Sequence, residues 1–350
     1  MAAKRGRKRK KNVTIHDVGR HAGVSHITVS RVINSDAWVK EETRARVLAS
    51  LDALGYVPNI DARSLASAEP VRIGFVYAAS TAPYIDQLLI GTLAQARKLG
   101  CQVTVRNCLE PGAERKVISE LVRDGVKGII LPAPLCDSEA ALVAVADAQL
   151  PCVLVASGRP APGFSAVSID DFQAAREMTR YLLSLGHQRI AFINGHPEQT
   201  AAGQRFRGYL EAMAEAGIKV GPERVAQGYF TYRSGLEAAE ILLADRSLTA
   251  IFAANDEMAA AAMAVAHRKA MDVPGDVTIA GFDDTPLATM ISPHLTTVRR
   301  PVADMAYRSV KLLISDIENR RFDARKPATR DVLEYTILPR GSSGPLPSSS

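Results

Sequence analysis

Val13-Thr-Ile-His-Asp-Val-Gly-Arg-His-Ala-Gly-Val-Ser-His-Ile-Thr-Val-Ser-Arg-Val-Ile-Asn34 holds two short amphipathic patterns and a turn within twenty-two residues. In the first pattern Ile15, Val18 and Ala22 recur at i, i+3 and i+7, a single apolar stripe on a helix. Gly23 ends it, because a residue without Cβ enters the left-handed conformation that stops a helix and turns the chain. Ser25 is placed to cap a second helix, whose Val29, Val32 and Ile33 point back at the first stripe. His26, Ile27, Ser30 and Arg31 fall on the outer face. Two helices so arranged make a helix-turn-helix, which lays its second helix in the major groove of DNA.

Charge points the same way. Residues 1–68 carry thirteen Lys and Arg against six Asp and Glu, net +7, while the whole chain is +6. The remaining residues therefore sum to −1, and the positive charge is concentrated beside the candidate recognition helix, as in a phosphate-binding module. The run Lys4-Arg-Gly-Arg-Lys-Arg-Lys-Lys11 has no apolar periodicity and reads as a basic arm over residues 1–12 that tracks phosphates or a groove. Helix three is expected from about Lys40 to Leu54, with Val47, Leu51 and Leu54 completing a three-helix core.

Val13-Thr-Ile-His-Asp-Val, Ala22-Gly-Val-Ser25, Thr28-Val-Ser-Arg-Val-Ile-Asn34, Glu42-Thr-Arg44 and Leu54-Gly-Tyr-Val-Pro-Asn59 together resemble the lactose-repressor (LacI) family of bacterial transcription regulators, and the resemblance runs along nearly the whole chain. It departs at Gly19, where Ala is usual, and at Lys40, where a capping Ser or Asp often starts helix three. Each departure costs roughly 0.5–1 kcal/mol of local helix stability. The resemblance implies DNA contacts from Thr14, Ser25, His26, Ile27, Thr28, Ser30, Arg31, Asn34, Tyr56 and Asn59. It also makes residues 58–70 a hinge helix that folds on operator DNA, with Leu65 inserted between base pairs in the minor groove. Such a wedge has a physical use, since unstacking kinks the duplex and brings more surface into contact.

From Val71 the pattern changes to apolar strands alternating with amphipathic helices. Val71–Tyr77, Cys101–Val105, Gly128–Leu131 and Pro151–Val155 read as buried parallel strands, and Arg189–Ile193, Ala250–Ala253 and Val277–Phe282 as a second series. Two such series imply two doubly wound α/β lobes. The expected fold is thus a small all-α helix-turn-helix headpiece, residues 13–57, on a two-lobed core, residues 71–340, with a disordered tail, residues 341–350. The resemblance makes the core periplasmic-binding-protein-like, with the chain crossing between lobes near residues 185, 300 and 330.

Ligands of such sheets bind beyond the carboxyl ends of the strands, here between the lobes. Asn255-Asp256 and Asp283-Asp284 stand at strand ends, where a carboxylate can accept from two vicinal hydroxyls of a sugar. The forked guanidinium of Arg205 can donate to two oxygens at once. The family's effector contacts map onto Arg205, Asn255 and Asp283, with Phe230 at a stacking position. Asp256 has two readings, effector contact or helix cap. Arg207 and Asp284 read as solvated or supporting charges. Tyr77, Tyr84 and Arg159 are candidates for the opposite wall, and Gln173 stands where some family members carry an Asp, which puts a carboxylate contact from the first lobe in doubt.

The chain has no Gly-x-Ser-x-Gly elbow, phosphate loop or dinucleotide fingerprint, so no enzyme, cofactor or catalytic residue is expected. His187 and His196 are too far apart for an i, i+4 metal pair. No apolar run nears the roughly 18 residues needed to span a bilayer, and no apolar stretch follows the basic start. These point to a cytoplasmic protein with Cys101, Cys108, Cys136 and Cys152 as reduced thiols. The expectation is a homodimeric transcriptional regulator on a pseudo-palindromic operator, a repressor controlled by a small effector, a sugar first, with purine or sugar phosphate as the alternative. A transport-type sugar-binding protein would share the core but not the basic headpiece.

Overall fold

The computed structural model describes residues 14–33, 39–54, 70–78, 83–110, 112–320 and 328–346. The basic arm, Asn34, Tyr56, Asn59 and the hinge with Leu65 lie outside the described residues. The chain divides into two compact units, residues 1–69 and 70–350.

In the first unit, α1 (Ile15–Ala22), α2 (His26–Ile33) and α3 (Glu41–Ala53) enclose Val18, Ala22, Val29, Val32 and Val47. Helix α1 starts in a capping box: Thr14 Oγ1 accepts from the Asp17 N–H, and the Asp17 carboxylate accepts from Thr14 N–H at 2.9 Å. Gly23 closes it at φ +65°. Ser25 Oγ accepts from Thr28 N–H at 3.1 Å, the expected cap of α2, whereas Lys40 contributes no side-chain cap to α3. Gly19 is more than a loss of helix propensity. It is buried, and a Cβ there would lie 2.9 Å from the Val24 carbonyl oxygen, so its absence lets the turn fold tightly onto α1.

The second unit contains both lobes. The first lobe is built on six parallel strands in the order β11-β5-β4-β3-β1-β2, where β1 is Arg72–Tyr77, β2 Gln102–Asn107, β3 Gly128–Pro132, β4 Cys152–Val155, β5 Ser165–Ile169 and β11 Arg330–Leu333. Helices α4 (Pro83–Lys98) and α12 (Val302–Arg320) pack together against one face, and α5 (Glu114–Arg123) with α6 (Glu139–Asp147) cover the other. The second lobe has four parallel strands in the order β7-β6-β8-β9: β6 Ile190–Asn194, β7 Val225–Gln227, β8 Ala250–Ala253 and β9 Thr278–Ala280. Its helices are α7 (Asp171–Ser184), α8 (Thr200–Glu215), α9 (Tyr232–Leu242), α10 (Asp256–Arg268) and the short α11 (Leu287–Met290). Beside β9 lies an antiparallel pair, β10 (Thr297–Arg299) with β12 (Thr336–Leu338).

Two expectations are corrected. The first crossing is at Asp170, not near residue 185: β5 pairs with β4 in the first sheet, and α7 packs on α8 in the second lobe. The later crossings follow Arg300 and Leu333. The tail is ordered over 341–346. Ser342 is fully buried, its N–H donates to His294 O and its Oγ to Ile279 O, so Gly341–Leu346 seals the edge of β9. His187 lies in this edge too, its Nε2 2.9 Å from Gly344 O, within the second lobe and not between lobes. Among the described residues no helix is long and apolar enough to cross a membrane.

Candidate effector site and DNA-reading helix

Burial of Val29 and Val32 fixes the rotation of α2, so His26, Ile27 and Arg31 are turned outward. Ile27 is 56% exposed, an apolar side chain held at the surface by a helix whose opposite face is core. Ser25 and Thr28 hydroxyls are 2.9 Å apart at the start of the helix, so both serve the cap as well as the surface.

In the core, the strand ends of both lobes converge on a cavity of about 310 Å³ lined by Tyr84, Ala133, Pro134 and Ala156 from the first lobe, Gln199, Ala201, Arg205, Tyr229, Phe230, Thr231, Asn255, Asp256, Glu257, Asp283 and Thr285 from the second, and Arg300 from the crossing between them. Arg205, on α8, is buried: Nε donates to Asp171 Oδ1 at 2.8 Å and Nη1 to the Ala254 carbonyl. Its guanidinium carbon stands 3.7 Å above the Phe282 ring and 5.7 Å from that of Phe230. Asp171 serves Arg205 and does not line the cavity, and Gln173 turns elsewhere, its amide oxygen accepting from Arg176 at 3.2 Å.

Asp283 follows β9 at φ +116° and Asp284 at φ +53°, conformations that non-glycine residues hold only when their surroundings enforce them. The Asp283 N–H donates to Val298 O, and Asp284 is clamped by Arg299 at 2.7 Å and Arg340 at 2.6 Å, which leaves it a supporting charge. Burial pushes the Asp283 carboxyl above the usual carboxylate range, against the pull of Arg300 and Arg205. Arg300 Nε lies 2.9 Å from Asp283 Oδ1, yet the N–H is not aimed along that line, and neither atom has a hydrogen-bond partner within the protein. The Arg300 guanidinium also lies 4.4 Å over the ring of Tyr84, whose hydroxyl donates to Ala133 O at 3.0 Å.

Phe230 adopts φ +62°, and its ring passes so close to Gly195 that a Cβ there would be 2.1 Å from Phe230 Cζ. Asn255 holds that backbone, its Nδ2 donating to Phe230 O at 3.0 Å, while its Oδ1 accepts from Met258 N–H and caps α10. The capping role considered for Asp256 therefore belongs to Asn255. Asp256 binds the loops opposite: it accepts from Thr285 N–H at 2.7 Å, Thr285 Oγ1 at 3.0 Å and Thr297 Oγ1 at 2.6 Å. Burial, and then the Asp283 charge, push its carboxyl up to about 7; burial does the same for Glu257, also to about 7.

Of the seven side chains expected at the effector site, Arg205, Phe230, Asn255, Asp256 and Asp283 line the cavity, and Tyr77 and Arg159 do not. Tyr77 shares a strand face with Phe75, 6.5 Å between ring centroids, and packs into the first-lobe core. Arg159 is exposed, and its backbone N–H donates to Thr200 Oγ1. Arg207 is exposed over Phe172. Tyr84 is in the cavity; Arg300, Tyr229 and Glu257 are there without having been singled out from the sequence. Arg300 had one local signal, an Arg held directly before Pro301 at the end of a short strand. No group of three or more potential metal ligands occurs among the described residues.

Comparison with known proteins matches residues 14–59 to bacterial regulatory proteins, lacI family, and residues 179–343 to the periplasmic binding protein-like domain. The HTH-type transcriptional regulator DegA of Bacillus subtilis (strain 168) is 35% identical over 336 residues, 95% of this chain and 98% of the relative. The chain belongs to the LacI family. The chain is also similar to solved family structures: a transcriptional regulator CelR–cellobiose complex (TM-score 0.72, 29% identity, covering 94% of this chain and 99% of that one) and the lac repressor dimer bound to operator and the anti-inducer ONPF (TM-score 0.71, 27% identity, 95% and 100%). This is a DNA-binding regulator with a ligand-binding core, in a family of non-enzymatic transcription factors.

Proposed function

We propose that this LacI-family member is a repressor of a carbohydrate-utilisation operon, binding a pseudo-palindromic operator as a homodimer, with its affinity set by a neutral sugar held between the core lobes. The observation that carries the ligand class is the cavity lining, where the hydrogen-bonding side chains of Arg205, Asn255, Asp283 and Arg300 stand beside the rings of Tyr229 and Phe230. Carboxylate, amide and guanidinium groups on one wall suit a ligand rich in hydroxyls, each able to donate and accept. The charges around them are already balanced, Arg205 by Asp171 and Arg300 by Asp283, so a neutral ligand fits better than a phosphate. Tyr229 and Phe230 offer apolar ring surface for a sugar face. On the DNA side, the outward His26, Ile27 and Arg31 suit base readout, and the arm at Lys4–Lys11 suits phosphate contact. The similarity to the cellobiose complex of CelR supports a sugar, and the operator-bound lac repressor dimer supports dimeric DNA binding.

The test is a thermal-shift and calorimetric screen of full-length protein with neutral mono- and disaccharides, their phosphates, and purines. A ligand at 100 times its dissociation constant stabilises the protein by about 2.7 kcal/mol. Stabilisation by neutral sugars alone is expected. Stabilisation by purines or phosphorylated sugars and not by neutral ones would overturn the ligand class.

A further inference from the structure

At the rim of the cavity a second set of contacts joins the lobes without facing the ligand space. Asp137 sits in a one-turn helix, Leu135–Asp137, after β3 of the first lobe. Its Oδ2 accepts from the backbone N–H of Thr200 at 2.9 Å, and its Oδ1 accepts from Thr200 Oγ1 at 2.9 Å and from Ser157 Oγ at 2.5 Å. Ser157, after β4, belongs to the first lobe, and its hydroxyl is 3.2 Å from that of Thr200. Thr200 is the first residue of α8 in the second lobe. The Arg159 N–H also reaches Thr200 Oγ1, at 3.0 Å.

Helix α8 needs this contact. Gln199, at its N-cap position, makes no side-chain capping bond; its carbonyl accepts from Ala202 N–H, and the Thr200 N–H finds its partner in Asp137 of the other lobe. A carboxylate supplied from the other lobe satisfies one amide and places negative charge at the positive end of the helix. The fit is close at the backbone as well. A Cβ on Gly158 would lie 2.7 Å from both Ala201 Cα and Ala201 N, so the two lobes meet there in direct contact. Ala201 lines the cavity, and Arg205 follows on the same helix.

We propose that Asp137, with Ser157 and Thr200, is an interlobe latch: it keeps the cleft closed in the absence of ligand and holds α8, and with it Arg205, at the cavity wall. Asp137 is a positioning residue, because it acts on the effector site through α8. The latch gives the regulator a preference between closed and open lobes that a ligand must either reinforce or overcome, and the ligand shifts that balance only by its differential affinity for the two.

The test places spin labels on exposed positions of the two lobes, at Lys116→Cys and Glu211→Cys, with the half-buried Cys101 replaced by Ser. Full-length labelled chain is diluted with unlabelled chain so that distances within one protomer are read, without ligand. The parent should give a single short distance. Asp137→Ala and Thr200→Val should each add a longer population, the closed-to-open ratio falling about tenfold for loss of charge-assisted hydrogen bonds. Thr200→Ser should restore the parental distribution, and the Asp137→Ala, Thr200→Val double variant should open by less than the two single effects combined, since both remove the Asp137–Thr200 hydroxyl contact. Gly158→Ala should open the cleft by wedging. Parental distances in both Asp137→Ala and Thr200→Val, or strictly additive effects, would overturn the latch. If Asp137→Ala does not fold, Thr200→Val decides: a longer population supports the latch and an unchanged one refutes it.

Discussion

Arg205→Ala is the substitution whose consequence the structure sets most sharply. The guanidinium is 3% exposed, its partner Asp171 is equally buried, and Asp283 is 3.6 Å from Nη1. Removing the arginine leaves Asp171 buried without its partner and takes a counter-charge from Asp283, while the Ala254 carbonyl loses its donor. Breaking a buried pair by removing one partner costs about 3–5 kcal/mol, because a charge is left uncompensated. For a unit of this size each kcal/mol lowers the melting temperature by about 2–4 °C, so a fall on the order of 10 °C is expected. Differential scanning calorimetry of the full chain reads it. Arg205→Ala with Asp171→Asn should recover a large part of the loss, since the second change removes the stranded charge. The deficit of the single variant should also shrink as pH falls, because the stranded carboxylates then take up protons in the folded state. A melting temperature within 2 °C of the parent for Arg205→Ala, or no recovery in the double variant, would refute the buried-charge account of this site.

Asp256 and Glu257 are pushed up to about 7, chiefly by burial, from unfolded values of 3.8 and 4.5. Their contribution is therefore full below those unfolded values and is lost as pH rises through about 7; the melting temperature should fall between pH 5 and pH 8, and Asp256→Asn should flatten that slope in a calorimetric pH series. Ile27→Gln should change the preferred bases and not merely total affinity, at roughly 1–3 kcal/mol per altered contact, and an unchanged motif in binding-site selection would remove α2 from the readout. Deleting residues 4–11 should weaken binding to operator and random duplex alike and flatten the salt dependence; an unaltered salt slope would show that the arm meets no phosphates.

The helix pair was legible because it depends on local rules. The stripe of Ile15, Val18 and Ala22, the glycine stop and the Ser25 cap all act within a few residues. Asn255 and Asp283 were legible for a related reason, since they follow strands where parallel α/β sheets open, whereas Arg205, on a helix, was reached through the family resemblance. What escaped was set by long-range pairing. β5, Ser165–Ile169, carries two serines and lacks the apolar run of its neighbours, so the crossing at Asp170 was placed a helix too late. The tail looked like low complexity, yet Ser342 pairs with the edge of β9. Tyr77 was misplaced because strand alternation turns it with Phe75 to the core. Arg300 was missed because its meaning comes from Asp283 and Tyr84, both distant in sequence.

The central claim, that a ligand in the cleft controls operator affinity, is tested most directly by a single titration. A duplex motif selected by the full-length protein from a random pool is labelled, and its affinity is measured by fluorescence anisotropy with and without a saturating neutral sugar that raises the melting temperature. The account predicts an inverted-repeat motif and a change in dissociation constant of about 5- to 150-fold, lost in Asp283→Asn along with sugar binding. A sugar that stabilises the protein while leaving operator affinity unchanged would contradict it.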